Sequence, residues 1–271
     1  MTGELILLLI WVAAICVASG CVHSAIGFGY AIVALAILPF VIDARTAHVM
    51  LPIASLPMLG SAAWAYRKGT DWPSLRPALI GAAVMMPVGL YLFNNMSLDL
   101  LVRGTGLAIL VMVLLSMRNQ DMPKGSQTAG GSSLLTGAIG GFLGGAVNIA
   151  GPPVAAYALK QGWSPDRFKA FVTQLLLVVS IYKVIGLAIG GDITKEAALL
   201  ALWTTPFSIV GIQLGVIVSK YIVPQKFQRI VALVLIGVAC MLMVRGSPKE
   251  SAHEQPEKTA AAAIDPEGRL S

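Results

Sequence analysis

The sequence predicts an all-α polytopic membrane protein. It should contain about eight hydrophobic helical segments in two inverted repeats, each a broken, re-entrant-like helical hairpin followed by three transmembrane helices. Three observations point there. The 271 residues are 56% hydrophobic and only 12% charged, with a mean hydropathy of +0.80, whereas soluble domains carry about 25% charged residues. Several apolar runs reach the roughly 20 residues that span a bilayer. A polar, Gly/Ser-rich stretch at 118–133 divides the chain into halves with the same order of elements.

The first half, 1–117, opens with an apolar stretch at 4–42 interrupted by Ser24-Ala25-Ile26-Gly27-Phe28-Gly29. No Lys or Arg precedes its apolar run, so it reads as a retained membrane segment, not a signal peptide. A short loop at Asp43–Thr46 leads to a span at about 47–66. A polar loop follows at Arg67–Pro73, and Pro73 and Pro77 suit the start of the next span, at about 76–93. Asn94–Asp99 is a polar turn before a span ending near Met117. The second half, 134–245, opens with an interrupted segment at 134–160. A basic loop holds Lys160, Arg167 and Lys169, and spans follow at about 170–190, 197–219 and 229–245. The polar, Ala-rich residues 246–271 read as a disordered tail. A shift near 124 lays Gly20 on Gly144, Ser24 on Asn148 and Gly27 on Gly151. Close to that shift, Gly89 meets Gly211.

Asn148-Ile149-Ala150-Gly151-Pro152-Pro153 cannot form a continuous helix, because two adjacent prolines remove two donors and disfavour helix in the residue before each. A break in lipid leaves bare backbone groups and is tolerated only where protein or a water-filled cavity meets them. Both breaks are therefore read as lining a binding site.

Loop charge distinguishes crossing from returning at the breaks. If each interrupted segment crosses once, basic residues divide eight against eight. If each returns to its starting side, Arg67, Lys68, Arg76, Arg118, Lys124, Lys160, Arg167, Lys169, Lys220, Lys226 and Arg229 face only Arg45, Arg103, Lys195, Arg245 and Lys249. The return topology gives each half three full crossings and opposite orientation, as in inverted-repeat transporters. Both termini then lie outside, in a multi-pass protein of the cell (inner) membrane.

Helix N-termini carry partial positive charge and free N–H groups, so two of them facing each other form an anion site. The residues after each break supply those groups: Gly27, Phe28 and Gly29 in the first half, and Gly151, Pro152 and Pro153 in the second. Ser24 and Asn148 add side-chain donors. Lys183 lies inside the 170–190 span, either facing the cavity or snorkelling to the interface. Gln174 in the same span faces the cavity or bonds to another helix. His23 beside Ser24 is either a packing histidine or a proton carrier. The Gly-rich run 137–145 lacks the Lys-Ser/Thr of a phosphate loop and reads as a packing surface.

No Asp or Glu falls within an expected span, so a cation substrate lacks its counter-charge. Cys16, Cys21 and Cys240 form neither CxxC nor a Cys/His cluster, so no metal, cofactor or disulfide framework is expected. The net charge of +6 sits in short loops between spans, which fits a membrane protein and not nucleic-acid binding. No paired carboxylates or nucleophile–base set points to an enzyme. The partners are a small anion and the lipid bilayer; self-association is left open.

The segments GxxHSAIGFGY (from Gly20) and GGFLGGAVNIAGPPVAAY (from Gly140), with the duplicated halves and the overall length, resemble the sulfite exporter TauE/SafE family over about residues 4–245. The resemblance implies export of sulfite, sulfoacetate or a related sulfur-containing anion, with Gly27, Gly151 and Pro152 carrying the family-like pattern. A proton-coupled importer of a related anion, or a non-transport membrane partner protein, is the alternative.

Overall fold

The computed structural model describes residues 3–118, 131–221, 233, 235–237 and 239–244. Most of the 118–133 linker, the first residues of the last expected span and the 246–271 tail lie outside them. Among the described residues the structure is helical throughout, without a strand. Five segments are long and apolar enough to cross a membrane: Gly3–Ser24, Ala44–Ala65, Trp72–Asn95, Pro165–Gly190 and Lys195–Ile217.

Both interrupted segments are broken helices. Helix α1 (Gly3–Ile26) stops at Gly27, and α2 (Tyr30–Ile37) resumes after Gly29. Helix α6 (Gly131–Val147) stops at Asn148, and α7 (Gly151–Lys160) resumes at Gly151. The remaining helices are α3 (Ala44–Ala65), α4 (Trp72–Asn95), α5 (Leu98–Arg118), α8 (Pro165–Gly190) and α9 (Lys195–Tyr221). The expected Asp43–Thr46 loop is shorter in the structure. The Asp43 carboxylate accepts from the Thr46 amide, and this N-cap draws the start of α3 back to Ala44. Ser164 caps α8 in the same way through the Arg167 amide.

Each hairpin starts and finishes at one end of the bundle. Ser133, near the start of α6, donates to the Ser74 carbonyl in the first turn of α4. After α7 the chain enters α8, where Arg167 pairs with Asp71, one residue before α4. At the opposite end, Arg45 in the first turn of α3 donates to the Met96 carbonyl beyond α4. There too, Gly190 at the close of α8 lies beside Asp192 and Asn94. Helix α1 runs parallel to α9, with Val17 at Gly211 and Cys21 at Gly215, so it begins at this second end, to which the chain returns before α3.

Pairing between the halves is reciprocal. Helix α1 of the first half packs on α9 of the second, α6 of the second packs on α4 of the first, and α3 crosses α8 between them. Both outer crossings are glycine seams. Gly137, Gly141 and Gly145 abut the backbone of Ala78, Ala82 and Met86–Leu90, while Gly211 and Gly215 abut Val17 and Cys21. Hydrophobicity does not drive helices together in lipid, so close backbone approach through small residues takes its place. A Cβ at Gly141 would lie 2.6 Å from the Ala82 Cα. Gly141→Leu is expected to force α6 off α4 and cost about 1–3 kcal/mol or more. Thermal unfolding in detergent should show a clearly lowered midpoint, and an unchanged one would refute the seam.

Candidate functional site

The two breaks meet at one cavity of about 70 Å³. The first contributes His23, Gly29, Tyr30, Ala31 and Ile32; the second contributes Gly144, Asn148, Ile149, Ala150 and Gly151. Helices α3 and α8 close its sides, with Pro52, Ser55 and Met58 on one and Leu176, Ser180 and Lys183 on the other. The lining is mainly apolar with a few convergent polar groups, the usual composition of a small-ligand site.

At the first break the turn depends on glycine. Gly27 and Gly29 have φ of 93° and 108°, in the left-handed region that other residues rarely adopt. Helix α2 then begins with Tyr30, Ala31 and Ile32, whose amides occupy the first turn, where helices have no internal acceptors. Tyr30 is anchored by a 2.7 Å hydrogen bond between its hydroxyl and that of Ser208 on α9.

At the second break the left-handed residue is Asn148, with φ 59°. Asparagine is one of the few L-residues that tolerates this conformation. Its side-chain amide donates to the His48 carbonyl on α3 at 2.8 Å. That carbonyl is available for a sequence reason: in a continuous helix the amide of residue 52 would occupy it, and residue 52 is proline. The Pro52 defect in α3 and the break in the second hairpin thus satisfy each other.

Lys183 is only 1% exposed and does not snorkel. Its ammonium donates to the Gly145 carbonyl at 2.6 Å and to the Gly144 carbonyl at 3.2 Å, in the last turn of α6. It also lies 4.6 Å from the centre of the Phe93 ring. A cation at the C-terminal carbonyls is favourable twice, through the helix dipole and through its hydrogen bonds, although the Gly144 carbonyl also accepts from the Asn148 backbone amide. Among the described residues, no carboxylate pairs with it.

The sequence-expected site residues separate into groups. Gly29, Asn148, Gly151, Lys183 and His23 line the cavity; Ser24, Gly27, Phe28, Pro152, Pro153 and Gln174 do not. Ser24 packs on Gly215 of α9, and Phe28 on Gly151. Gly27 faces the Phe168 ring. Pro152 and Pro153 occupy the first turn of α7, where they offer no N–H, so that helix end brings fewer donors than α2 does. Gln174 donates to the Thr70 hydroxyl at 2.6 Å, away from the cavity. His23 is 7% exposed and its Nδ1 is buried without a partner. Sequence reasoning missed Ser55 and Ser180. The signal for Ser180 was its spacing, three residues before Lys183 on one helix face.

Two hairpins opening from opposite ends of a helical membrane bundle, with their breaks around a small cavity, fit the broken-helix architecture of membrane transporters. The chain belongs to the sulfite exporter TauE/SafE family, whose model matches residues 12–242, so it is a membrane transporter of sulfur anions. Neither the curated proteins nor the solved structures contain a match.

The Asn148–His48 contact is open to a double-mutant cycle. Asn148→Ala should leave the His48 carbonyl unmet and cost about 1–3 kcal/mol. Adding Pro52→Ala returns a backbone donor to that carbonyl and should recover much of the loss. Purely additive unfolding midpoints would show that the two defects are not coupled.

Proposed function

We propose that the protein exports a small anion, a sulfur oxyanion or organosulfonate of the sulfite or sulfoacetate kind, bound between the first turns of α2 and α7. The observation that carries this reading is Lys183. A buried ammonium is costly unless compensated. Here its near partners are two carbonyls and an aromatic ring, and the space beside it is the cavity. An anion there completes the charge balance. The amides of Tyr30–Ile32 and the hydroxyl of Ser180 provide oxyanion donors, while the Ser55 hydroxyl is committed to the Pro52 carbonyl. Lys183 offsets the donors that Pro152 and Pro153 withhold from α7.

The two halves, 1–117 and 134–245, act as inverted repeats joined by the 118–133 linker. Arg67, Lys68, Arg76, Lys160, Arg167 and Lys169 gather at the end holding the α3–α4 loop, against Arg45, Arg103 and Lys195 at the other. The positive-inside rule makes the first end cytoplasmic and puts both termini outside, in the inner membrane. An interior-negative potential favours exit of an anion by about 2.3 kcal/mol per charge per 100 mV, so export requires no coupling ion. The buried His23 Nδ1, without a partner among the described residues, favours a second reading, proton-coupled import, with His23 carrying the proton.

Radiolabelled sulfite flux in proteoliposomes separates these readings. Outward flux should follow membrane potential alone; dependence on a pH gradient that disappears in His23→Gln would establish the second. Lys183→Met is expected to raise the half-saturation concentration at least tenfold, and an unchanged value removes Lys183 from the site. Gly151→Leu places a side chain against Phe28, since a Cβ at residue 151 would lie 3.2 Å from the Phe28 Cβ. It should stop flux while leaving membrane insertion intact. A C-terminal reporter should be active only outside the cytoplasm; cytoplasmic activity would sink the orientation.

A further inference from the structure

At the basic end, the α3–α4 loop is clasped to the turn between α7 and α8. Arg167 Nη2 pairs with Asp71 Oδ1 at 2.6 Å, and the guanidinium lies 4.8 Å from the centre of the Trp163 ring. Gln174 donates to Thr70, and the Lys169 ammonium reaches the Tyr66 hydroxyl at 3.2 Å. Gly69 abuts the Asp166 backbone so closely that a Cβ there would lie 2.8 Å from its carbonyl oxygen. Every one of these contacts joins the first half of the chain to the second, apart from the Arg167–Trp163 stack within the turn.

This clasp is incompletely satisfied. Six buried side-chain polar atoms lack a partner among the described residues, and four are here: Asp71 Oδ2, Arg167 Nε, Gln174 Oε1 and Tyr157 Oη. The Asp71 side chain is 11% exposed and that of Arg167 44%. Burial pushes the Asp71 carboxyl up, but hydrogen bonds from Ser74 and Arg167 and the Arg167 charge outweigh it and hold it below the usual carboxylate range. Asp71 therefore stays ionised near neutral pH, and competition, not protonation, is the natural way to release it. Helix α8 carries Arg167 at this end and Ser180 at the cavity, about 20 Å along the same axis.

We propose that Arg167 is an anion-capture site at the basic mouth and that Asp71 is its resident stand-in ligand. An oxyanion arriving there takes the carboxylate's place on the guanidinium, using the free Nε–H as a second donor. The planar guanidinium fork suits a sulfur oxyanion as well as it suits a carboxylate. Losing Asp71 frees the α3–α4 loop from the α7–α8 turn and opens the way to the cavity. Solvent and salt screen a pair whose Arg167 side chain is 44% exposed, so a substrate anion can displace the carboxylate. This inference rests on the anion-transport reading.

Hydrogen–deuterium exchange on the full chain tests it, with sulfite as the probe and chloride at equal ionic strength as the control. Sulfite should speed exchange at 66–71 and 161–168 in the unaltered protein. Asp71→Asn should show fast exchange there without sulfite. Arg167→Gln should also be fast, should not respond to sulfite, and should raise the half-saturation concentration for flux at least fivefold. Arg167→Lys, which keeps the charge without the fork, should give a partial effect and serves if Arg167→Gln does not fold. If sulfite slows exchange at 147–152 and is transported while the clasp does not respond, the capture site is wrong and the transport reading stands. If sulfite is neither transported nor changes exchange anywhere, the transport reading itself fails. Unchanged exchange at the clasp in Asp71→Asn would also overturn the proposal.

Discussion

Inside a bilayer a backbone amide or carbonyl has no water to bond, and this protein breaks two helices there. Everything around the cavity answers that constraint. The end of α6 exposes carbonyls, and Lys183 covers two of them. Asn148 turns the chain in the left-handed region and directs its side-chain amide to His48. That carbonyl is itself an orphan created by Pro52. Defects in separate segments are thus matched in pairs, and the groups left over, the first-turn amides of α2 and α7, are those beside the cavity.

Glycine and proline divide the labour. Glycine brings backbones together where α1 meets α9 and α6 meets α4, fixing the outer helices as seams across the two halves. Proline opens helices where the cavity needs polar backbone. The unequal ends follow from the same chemistry. Helix α2 begins with three residues that carry N–H groups, whereas α7 begins Gly-Pro-Pro and has one. Lys183 lies on the side that is short of donors. Among the described residues, the clasp at the basic end leaves four buried polar atoms without a partner, whereas Lys183 bonds the last-turn carbonyls at the second break.

Much of this was legible in the sequence because lipid allows few solutions. Both breaks, the helix order and the packing role of the 137–145 glycines could be read from spacing and residue type. The site was legible only in outline. Residue type marks the stretch nearest each break as a block, but helix geometry places Gly29 and Gly151 at the cavity and turns Ser24 toward α9, Gly27 toward α8 and Phe28 toward the other hairpin. Gln174 looks like a cavity residue by its position in a span. It lies one helix level too close to the basic end and bonds Thr70 instead. Ser55 carried no signal of its own, since a serine in a membrane helix usually bonds its own backbone, and Ser180 was marked only by its spacing from Lys183.

The sequence by itself determined that the chain is helical and membrane-embedded, that it breaks twice, and that Asp and Glu are kept to the ends of its apolar runs. Those are consequences of hydrophobicity, of proline's missing N–H and of the cost of buried charge, all of which act residue by residue. Only the tertiary structure decided whether Lys183 reaches the interface or the interior, which carbonyl Asn148 satisfies, and that Asp71 and Arg167 meet across 96 residues of chain. Each depends on which helices are neighbours. The glycine seams set that arrangement through close contacts between segments far apart in sequence, and no local rule specifies it.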